Sequence, residues 1–467
     1  MYVHGDVRTG MPEPSKPYDC IAVNTFGMGA LPGEFADARS DPKGKLLSAL
    51  SHPDCVVIED PNLQNTPDII ERYFKQSAVR RAARLSGRPR TGVPQHPMKS
   101  AKAVSVYQTE ITARYRHAIS CPNSFCERWA RFWSNHFTVS GSGPMLRSMV
   151  GAYEREAIRP NVFGRFSDLL KAAVFHPSML IYLNNVGSIG PNSRVGLRLG
   201  KSYNENLARE VLELHTLGIG GGYSIDDIVD FAKALTGRSV GLNRKQAKTL
   251  GRTCFKAGNH EPGAKTVLGK TFPDYGAGQA GAILDWLCVQ PATATFIASK
   301  LARHFVSPRV PGTLVSKLAK TFSNTNGDLT ALASALINAD ESWRESERIY
   351  KTPEEFVIST GRALTSGDVK PDIMIAKKLG QAPFMAPSPK GWAASGRDGI
   401  NAENLLLRLS WLRVELEKSP GWINAPYLLQ EALGGHGSGA LRALVSGPLP
   451  RLDCLRAVLM SEEFLSR

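Results

Sequence analysis

Acidic side chains, long apolar runs and paired cysteines are all scarce in this chain. The 467 residues hold 42 Asp and Glu against 57 Lys and Arg, a formal net charge of +15. No apolar run approaches the ~18 residues that a membrane-spanning helix requires. Residues 1–20 lack a basic stretch followed by an apolar one, so no secretory signal is visible. By that alone the expected location is the cytoplasm, with a missing leader or export alongside a partner as alternatives. The seven cysteines (Cys20, Cys55, Cys121, Cys126, Cys254, Cys288 and Cys454) are odd in number and scattered, which is no disulfide framework. Cys121 and Cys126 are close, but no second Cys/His pair follows at zinc-finger spacing. Reduced thiols are therefore expected.

Several catalytic signatures are missing as well. There is no Gly-x-Ser-x-Gly elbow, no His-Glu-x-x-His and no P-loop. The run Gly218-Ile219-Gly220-Gly221-Gly222 follows a predicted helix rather than a strand. It is a poor dinucleotide fingerprint, and no nucleotide cofactor is expected. The positive balance favours contact with a polyanion, or simply a basic, well-solvated surface. Its densest cluster is Lys75, Arg80, Arg81, Arg84, Arg88 and Arg90, followed by Lys99 and Lys102. No zinc-finger or RNA-recognition pattern accompanies it, so nucleic acid is disfavoured as a partner.

What is present is mostly helical period. Residues 1–18 read as a loose arm, 19–100 as an N-terminal helical region ending in a basic linker at 88–100, and 101–467 as the main helical domain. Within the last, 237–280 is Gly-rich and irregular, with short strands expected near 253–256 and 266–269. Helices are expected at 66–87, 104–119, 123–137, 279–288, 292–305, 353–364 and 401–416, among others. Ser224 with Asp227 three residues on reads as a capping box opening a helix that runs to Leu235. The expected class is mainly α: a large helical domain with an irregular, strand-bearing insert.

The strongest local signal for chemistry runs from Asn204 to Gly218. On an α-helix, Glu205, Asn206, Arg209, Glu210 and Glu213 share one arc, and the apolar residues share the other. The plain reading is a solvated face with ion pairs. The functional one is paired carboxylates around Arg209, able to hold a metal, exchange protons or clamp a substrate. On the second reading Arg209 is at least half buried. His215 falls in the apolar arc and reads as a core histidine. Asn135 and His136 close an aromatic-rich helix, where His136 either caps the helix end or faces the acidic helix. His260 lies in the irregular section beside Glu261 and near Lys265, where it could serve as a metal ligand or proton carrier.

Seven ordered motifs resemble one bacterial family. They are Ala22-Val23-Asn24-Thr25-Phe26-Gly27-Met28-Gly29-Ala30 with Pro32-Gly33-Glu34; Glu127 with Phe132-Trp133-Ser134-Asn135-His136-Phe137; Tyr153-Glu154-Arg155-Glu156-Ala157-Ile158-Arg159-Pro160 followed by His176-Pro177; the Glu205 to Gly218 stretch; Gly222-Tyr223 through Leu235-Thr236-Gly237; His260 with Gly263, Lys265, Leu268 and Gly269; and Pro291 to Phe305. Together, from about Cys20 to the C-terminus, they resemble the family called domain of unknown function 1800. The resemblance implies no reaction. It implies a setting outside the cytoplasm or an exported partner, because many members carry export signals. Many are also encoded beside domain of unknown function 1501, a sulfatase- and phosphatase-like neighbour. Thr25, Asn184 and Arg238 stand where Arg, Asp and Trp are usual in the family, which raises the question of altered or lost activity.

The expected function is therefore an extracytoplasmic enzyme acting on an anionic glycan or similar polymer. Glu205, Arg209, Glu210, His136 and His260 are its candidate catalytic residues. Asn135, Asn206, Lys265 and Arg159 are the candidate substrate-binding ones. A divalent metal, if bound, has His136, Glu210 and His260 as candidate ligands. The alternative is a non-catalytic partner or scaffold for the sulfatase/phosphatase-like neighbour.

Overall fold

The helix Ser124–His136 shows how the fold is organised. Phe125, Trp129, Phe132 and Trp133 recur at i, i+4, i+7 and i+8 and make one apolar stripe. That stripe packs on Phe26, Phe305 and Phe166, with ring centroids 5.8 to 6.0 Å apart. The opposite arc carries Glu127, Arg128 and Arg131, and it is buried too. It faces not water but the helices Ala101–Ser120 and Pro353–Ala363, which belong to a second apolar cluster.

The computed structural model describes residues 17–85, 101–242, 247–344, 347–364 and 373–467. The expected arm through residue 16 and the 88–100 linker lie outside them. Of the cationic cluster, only Lys75 has a described side chain; it is exposed and pairs with Glu71 at 2.6 Å.

Two apolar clusters make the interior. The larger runs from Cys20 to Trp343 and includes the helices Phe166–Phe175, Ile225–Leu235, Gln279–Cys288, Pro291–Phe305, Gly312–Asn324 and Leu329–Asn338. The smaller joins Ile111, Tyr115 and Phe356 to Leu412, Leu428 and Leu455. It draws on Ala101–Ser120, Pro353–Ala363, Ala402–Glu417, Ala425–Leu433 and Arg451–Leu459. The fold is mainly α, with a small strand-bearing insert. There β1 (Arg238–Val240) pairs antiparallel with β2 (Thr253–Phe255), and β3 (Lys265–Val267) with β4 (Lys270–Phe272). The capping box at Ser224 forms as the sequence predicts. The free oxygen of Asp227 also accepts from Leu268 N at 2.7 Å and so ties the insert to the helix. Among the described residues no single helix is long and apolar enough to cross a membrane.

Among the described residues three helices widen to π geometry, over Ile21–Phe26, Glu154–Ile158 and Val211–His215. In an α-helix, residues five apart point about 140° away from each other, whereas a π turn bonds i to i+5 and aligns them. Glu154 and Arg159 meet at 2.8 Å in this way. After the first π turn, Gly27 and Gly29 offer their carbonyls to Arg128 Nε and Arg362 Nε, each at 2.6 Å. Gly29 has φ +92°, and a Cβ there would lie 2.6 Å from the Cβ of Ser359, so only glycine fits. Arg362 also donates to the carbonyls of Ala118, Ile119 and Cys121, placing a cation at the carboxyl end of Ala101–Ser120.

Candidate functional site

Where the two apolar clusters meet, the buried polar arcs interlock. Arg159 donates from Nη1 and Nη2 to both oxygens of Glu127, at 2.8 and 3.0 Å, and from Nε to Glu154 at 2.8 Å. Arg131 Nε reaches Glu127 at 2.6 Å. Arg114 bridges Glu154, at 2.9 Å, and Glu354, at 2.7 Å. Arg128 and Arg467 both pair with Glu355. Ser134 Oγ donates to Glu154 at 2.6 Å. Five guanidiniums thus face four side-chain carboxylates.

Burial by itself would push these carboxyls up, because the charged form loses its water. The guanidiniums reverse that. Arg159 and Arg131 hold Glu127 well below the usual carboxylate range. Arg467 and Arg128 do the same for Glu355. Glu154 sits at about 2, through Arg114, Arg159 and Arg131. All three are fixed as anions at neutral pH, so none is a proton donor.

Above this lattice lies a cleft whose empty space is about 840 Å³, open mouth included. Arg114, Arg128, Arg131, Glu354, Glu355 and His304 form its charged or polar floor, and Tyr153, Phe384 and Trp392 contribute aromatic walls. Asn135 fixes one wall. Its amide donates to Trp392 O at 2.9 Å and accepts from Trp392 N at 2.8 Å, imitating a strand pair with a side chain. Arg467 holds the same wall through Ala394 O at 2.8 Å, and it holds the His304 carbonyl at 2.7 Å. The His304 ring is kept neutral by burial and by the nearby Arg467 and Arg128. Its Nε2 is buried without a hydrogen-bond partner. Neutral imidazole can take up a proton, and this is the one cleft-lining imidazole.

Of the residues singled out from the sequence, Asn135 lines this cleft and Arg159 lies in the lattice beneath it. The others are elsewhere. Glu205 and Glu213 pair with Arg209, whose side chain is 42% exposed, a little more than half buried as expected, but the pairs are i,i+4 neighbours at the solvent boundary and not part of a sealed site. Asn206 is exposed. Glu210 is half-buried, and burial, then Glu213, raises its carboxyl. His136 is buried: Nε2 donates to His215 O at 3.1 Å and Nδ1 accepts from Lys300 at 2.9 Å. It meets the end of the acidic segment through backbone, not through Glu205 or Glu210. His215 lies in the core, as the wheel indicates, with neither ring nitrogen hydrogen-bonded, and burial lowers it to about 3. His260 donates from Nδ1 to Thr236 O at 2.9 Å inside the insert. Lys265 gives its ammonium to the carbonyls of Glu261, Pro262 and Gly263. Among the described residues, His136, Glu210 and His260 form no three-ligand group.

Thr25, Asn184 and Arg238, where the resemblance leads one to expect Arg, Asp and Trp, also lie away from the cleft lining. Thr25 is buried in the first π turn. Asn184 adopts φ +57°, a left-handed conformation that Asn and Asp both tolerate. Arg238 stacks on Phe175 at 3.7 Å and donates to Ala277 O, filling an aromatic's place with a planar cation.

Sequence reasoning passed over Arg114, Arg128, Arg131, Glu354, Glu355, His304 and Lys300. Burial, then Lys390 and Arg303, lowers Lys300 to about 8. A family model described as "Protein of unknown function (DUF1800)" matches residues 21–464, and the chain belongs to that family. No curated protein and no solved structure matches it.

Proposed function

We propose that this chain recognises an acidic sugar unit of a glycan in the cleft between its two apolar clusters, and that its role there is binding rather than bond cleavage. The observation that carries this reading is the cleft lining itself, where the three guanidiniums of Arg114, Arg128 and Arg131 stand against the two carboxyls of Glu354 and Glu355. Guanidinium forks bind carboxylate or sulfate oxygens in pairs. The donors and acceptors of Asn135, Thr138, Gln381 and Glu354 suit hydroxyl groups, and Trp392 and Phe384 offer flat apolar faces for the C–H side of a sugar ring. Glycosidic cleavage commonly needs one carboxyl that keeps its proton near neutral pH. Of the carboxyls that line the cleft, Glu355 is held ionised, which favours recognition. The export signals of many relatives fit a glycan outside the cytoplasm.

Calorimetric titration with glucuronate, galacturonate and glucose tests the reading. The uronates bind, glucose does not, and added salt weakens the uronate complexes. Trp392→Ala lowers uronate affinity about tenfold with an unchanged circular dichroism spectrum. Equal binding of glucose, or binding of none of the three, removes the proposal.

A further inference from the structure

We propose that Asp19, Cys20 and His436 form a zinc-binding site that fastens the first described helix to the C-terminal helices. One ligand atom from each lies within 4.8 Å of the other two, and this is the one such three-ligand group among the described residues. The three come from opposite regions of the chain, 417 positions apart for Asp19 and His436. Local chain geometry brings them together. The helix Ala425–Leu433 ends at Gly434 and Gly435, whose φ values of +62° and +77° turn the backbone sharply. A Cβ at Gly434 would lie 2.6 Å from the Phe35 ring, so the turn also needs glycine for space. His436 N then bonds back to Leu433 O at 3.0 Å, and the imidazole Nε2 reaches Asp19 Oδ2 at 3.0 Å. On the other side the Asp19 carboxylate accepts from Cys20 N at 2.9 Å, and the Cys20 thiol points to Leu433 O at 3.9 Å.

Thiolate, imidazole and carboxylate are the donor types that zinc takes, and three protein ligands leave a fourth tetrahedral position for water. Asp19 and Cys20 are buried while His436 is one-third exposed, so an ion has a path in from the His436 side. Binding moves two protons. The Cys20 S–H proton goes to solvent as the Zn–S bond forms. The proton that Nε2 of His436 now shares with Asp19 is replaced by one on Nδ1, freeing the Nε2 lone pair for the metal. Arg39 also touches Asp19, at 3.4 Å, but its side chain is 54% exposed and has a second anchor on Gly434 O at 2.9 Å. It can pivot on that anchor and remain as an outer partner. Zn²⁺ with one thiolate and one carboxylate is neutral, so no charge is stranded.

The test uses the full chain and Zn²⁺ or Co²⁺ alone. Calorimetry with Zn²⁺ gives one ion per chain, and affinity falls as the pH is lowered because protons compete for the thiolate. Co²⁺ gives a thiolate-to-metal absorption band. His436→Ala, at a partly exposed position, weakens binding by more than the ~10–100-fold that loss of an outer partner costs. Cys20→Ser removes the cobalt band. If Cys20→Ser fails to fold, zinc protection of Cys20 against alkylation, followed by mass spectrometry, reads the same contact in the natural chain. No saturable zinc binding, binding unchanged in His436→Ala, or a Cys20 alkylated equally fast with and without zinc overturns the proposal.

Discussion

Replacing Glu154 with glutamine removes one charge from the lattice and keeps its shape. Glu154 is 2% exposed and accepts from Arg114 at 2.9 and 3.1 Å, from Arg159 at 2.8 Å and from Ser134 at 2.6 Å. A carboxyl held at about 2 rather than the ordinary 4.5 corresponds to about 3 kcal/mol at ~1.4 kcal/mol per tenfold. Breaking a buried ion pair costs ~3–5 kcal/mol by an independent route, because the partners are left charged and dry. The sign follows from a depressed folded value. The stabilisation is fully present above pH 4.5 and is lost as the pH falls from there through about 2. Glu154→Gln therefore unfolds at lower urea at pH 7 and loses less further stability across that acid window. With an unfolding entropy of ~2.1 cal/mol/K per residue, the 467-residue chain gives ~1 kcal/mol/K in all, so its melting temperature falls by about 3 °C. Arg209→Ala, which removes two solvated pairs, is the internal control and costs no more than ~1 kcal/mol. Equal effects of the two substitutions, or an acid transition unchanged by Glu154→Gln, would refute the buried lattice.

Three other outcomes are expected. An anion bound beside the neutral His304 raises its proton affinity from a value well below the ordinary imidazole range, so uronate affinity increases as the pH falls through the acidic side of that range and the complex takes up a proton; His304→Phe removes that slope, as calorimetry in buffers of different ionisation enthalpy will read. Arg238→Ala loses the Phe175 stack and the Ala277 bond, costing ~1–2 kcal/mol in urea unfolding, whereas Arg238→Trp restores the stack and costs less. Gly434→Ala places a Cβ in a left-handed turn, 2.6 Å from the Phe35 ring, and destabilises by ~2 kcal/mol or more in the same assay.

Elements governed by local rules were legible. Helical period marks residues 279–288, where Gln279–Cys288 forms, and the Ser224/Asp227 capping box forms where the residue types predict it. Strands β2 and β3 lie near the expected short strands, whereas their partners β1 and β4 were not legible, because each is fixed by pairing with its neighbour rather than by a pattern of its own. The acidic helix misled for a geometric reason. Charges spaced i,i+4 draw the same arc whether that face is sealed or lies at the solvent boundary, and here it lies at the boundary, with Arg209 42% exposed. The lattice was hidden for the converse reason. Glu127 and Arg131 are an i,i+4 pair like those on any wet helix face, and what buries them arrives with Glu354 and Glu355, more than 200 residues later. The motif resemblance did contain Glu127, Ser134, Asn135, Glu154 and Arg159. The five-residue spacing from Glu154 to Arg159 had no meaning without the π turn.

The lattice also bears on how the chain finds its fold. Arg114 and Glu154 are 40 residues apart, but Arg114 meets Glu354 across 240 and Arg128 meets Glu355 across 227. Contacts that distant close late, after most of the chain has been made and the nearer apolar pieces have collapsed. Until then these guanidiniums must stay wet, and the two clusters cannot seal dry against each other. Apolar surfaces alone would tolerate many ways of docking. Here a helix slipped by one turn strands a charge at ~3–5 kcal/mol. The seam thus works as a keyed joint, closing fully in the one alignment where each guanidinium finds its carboxylate.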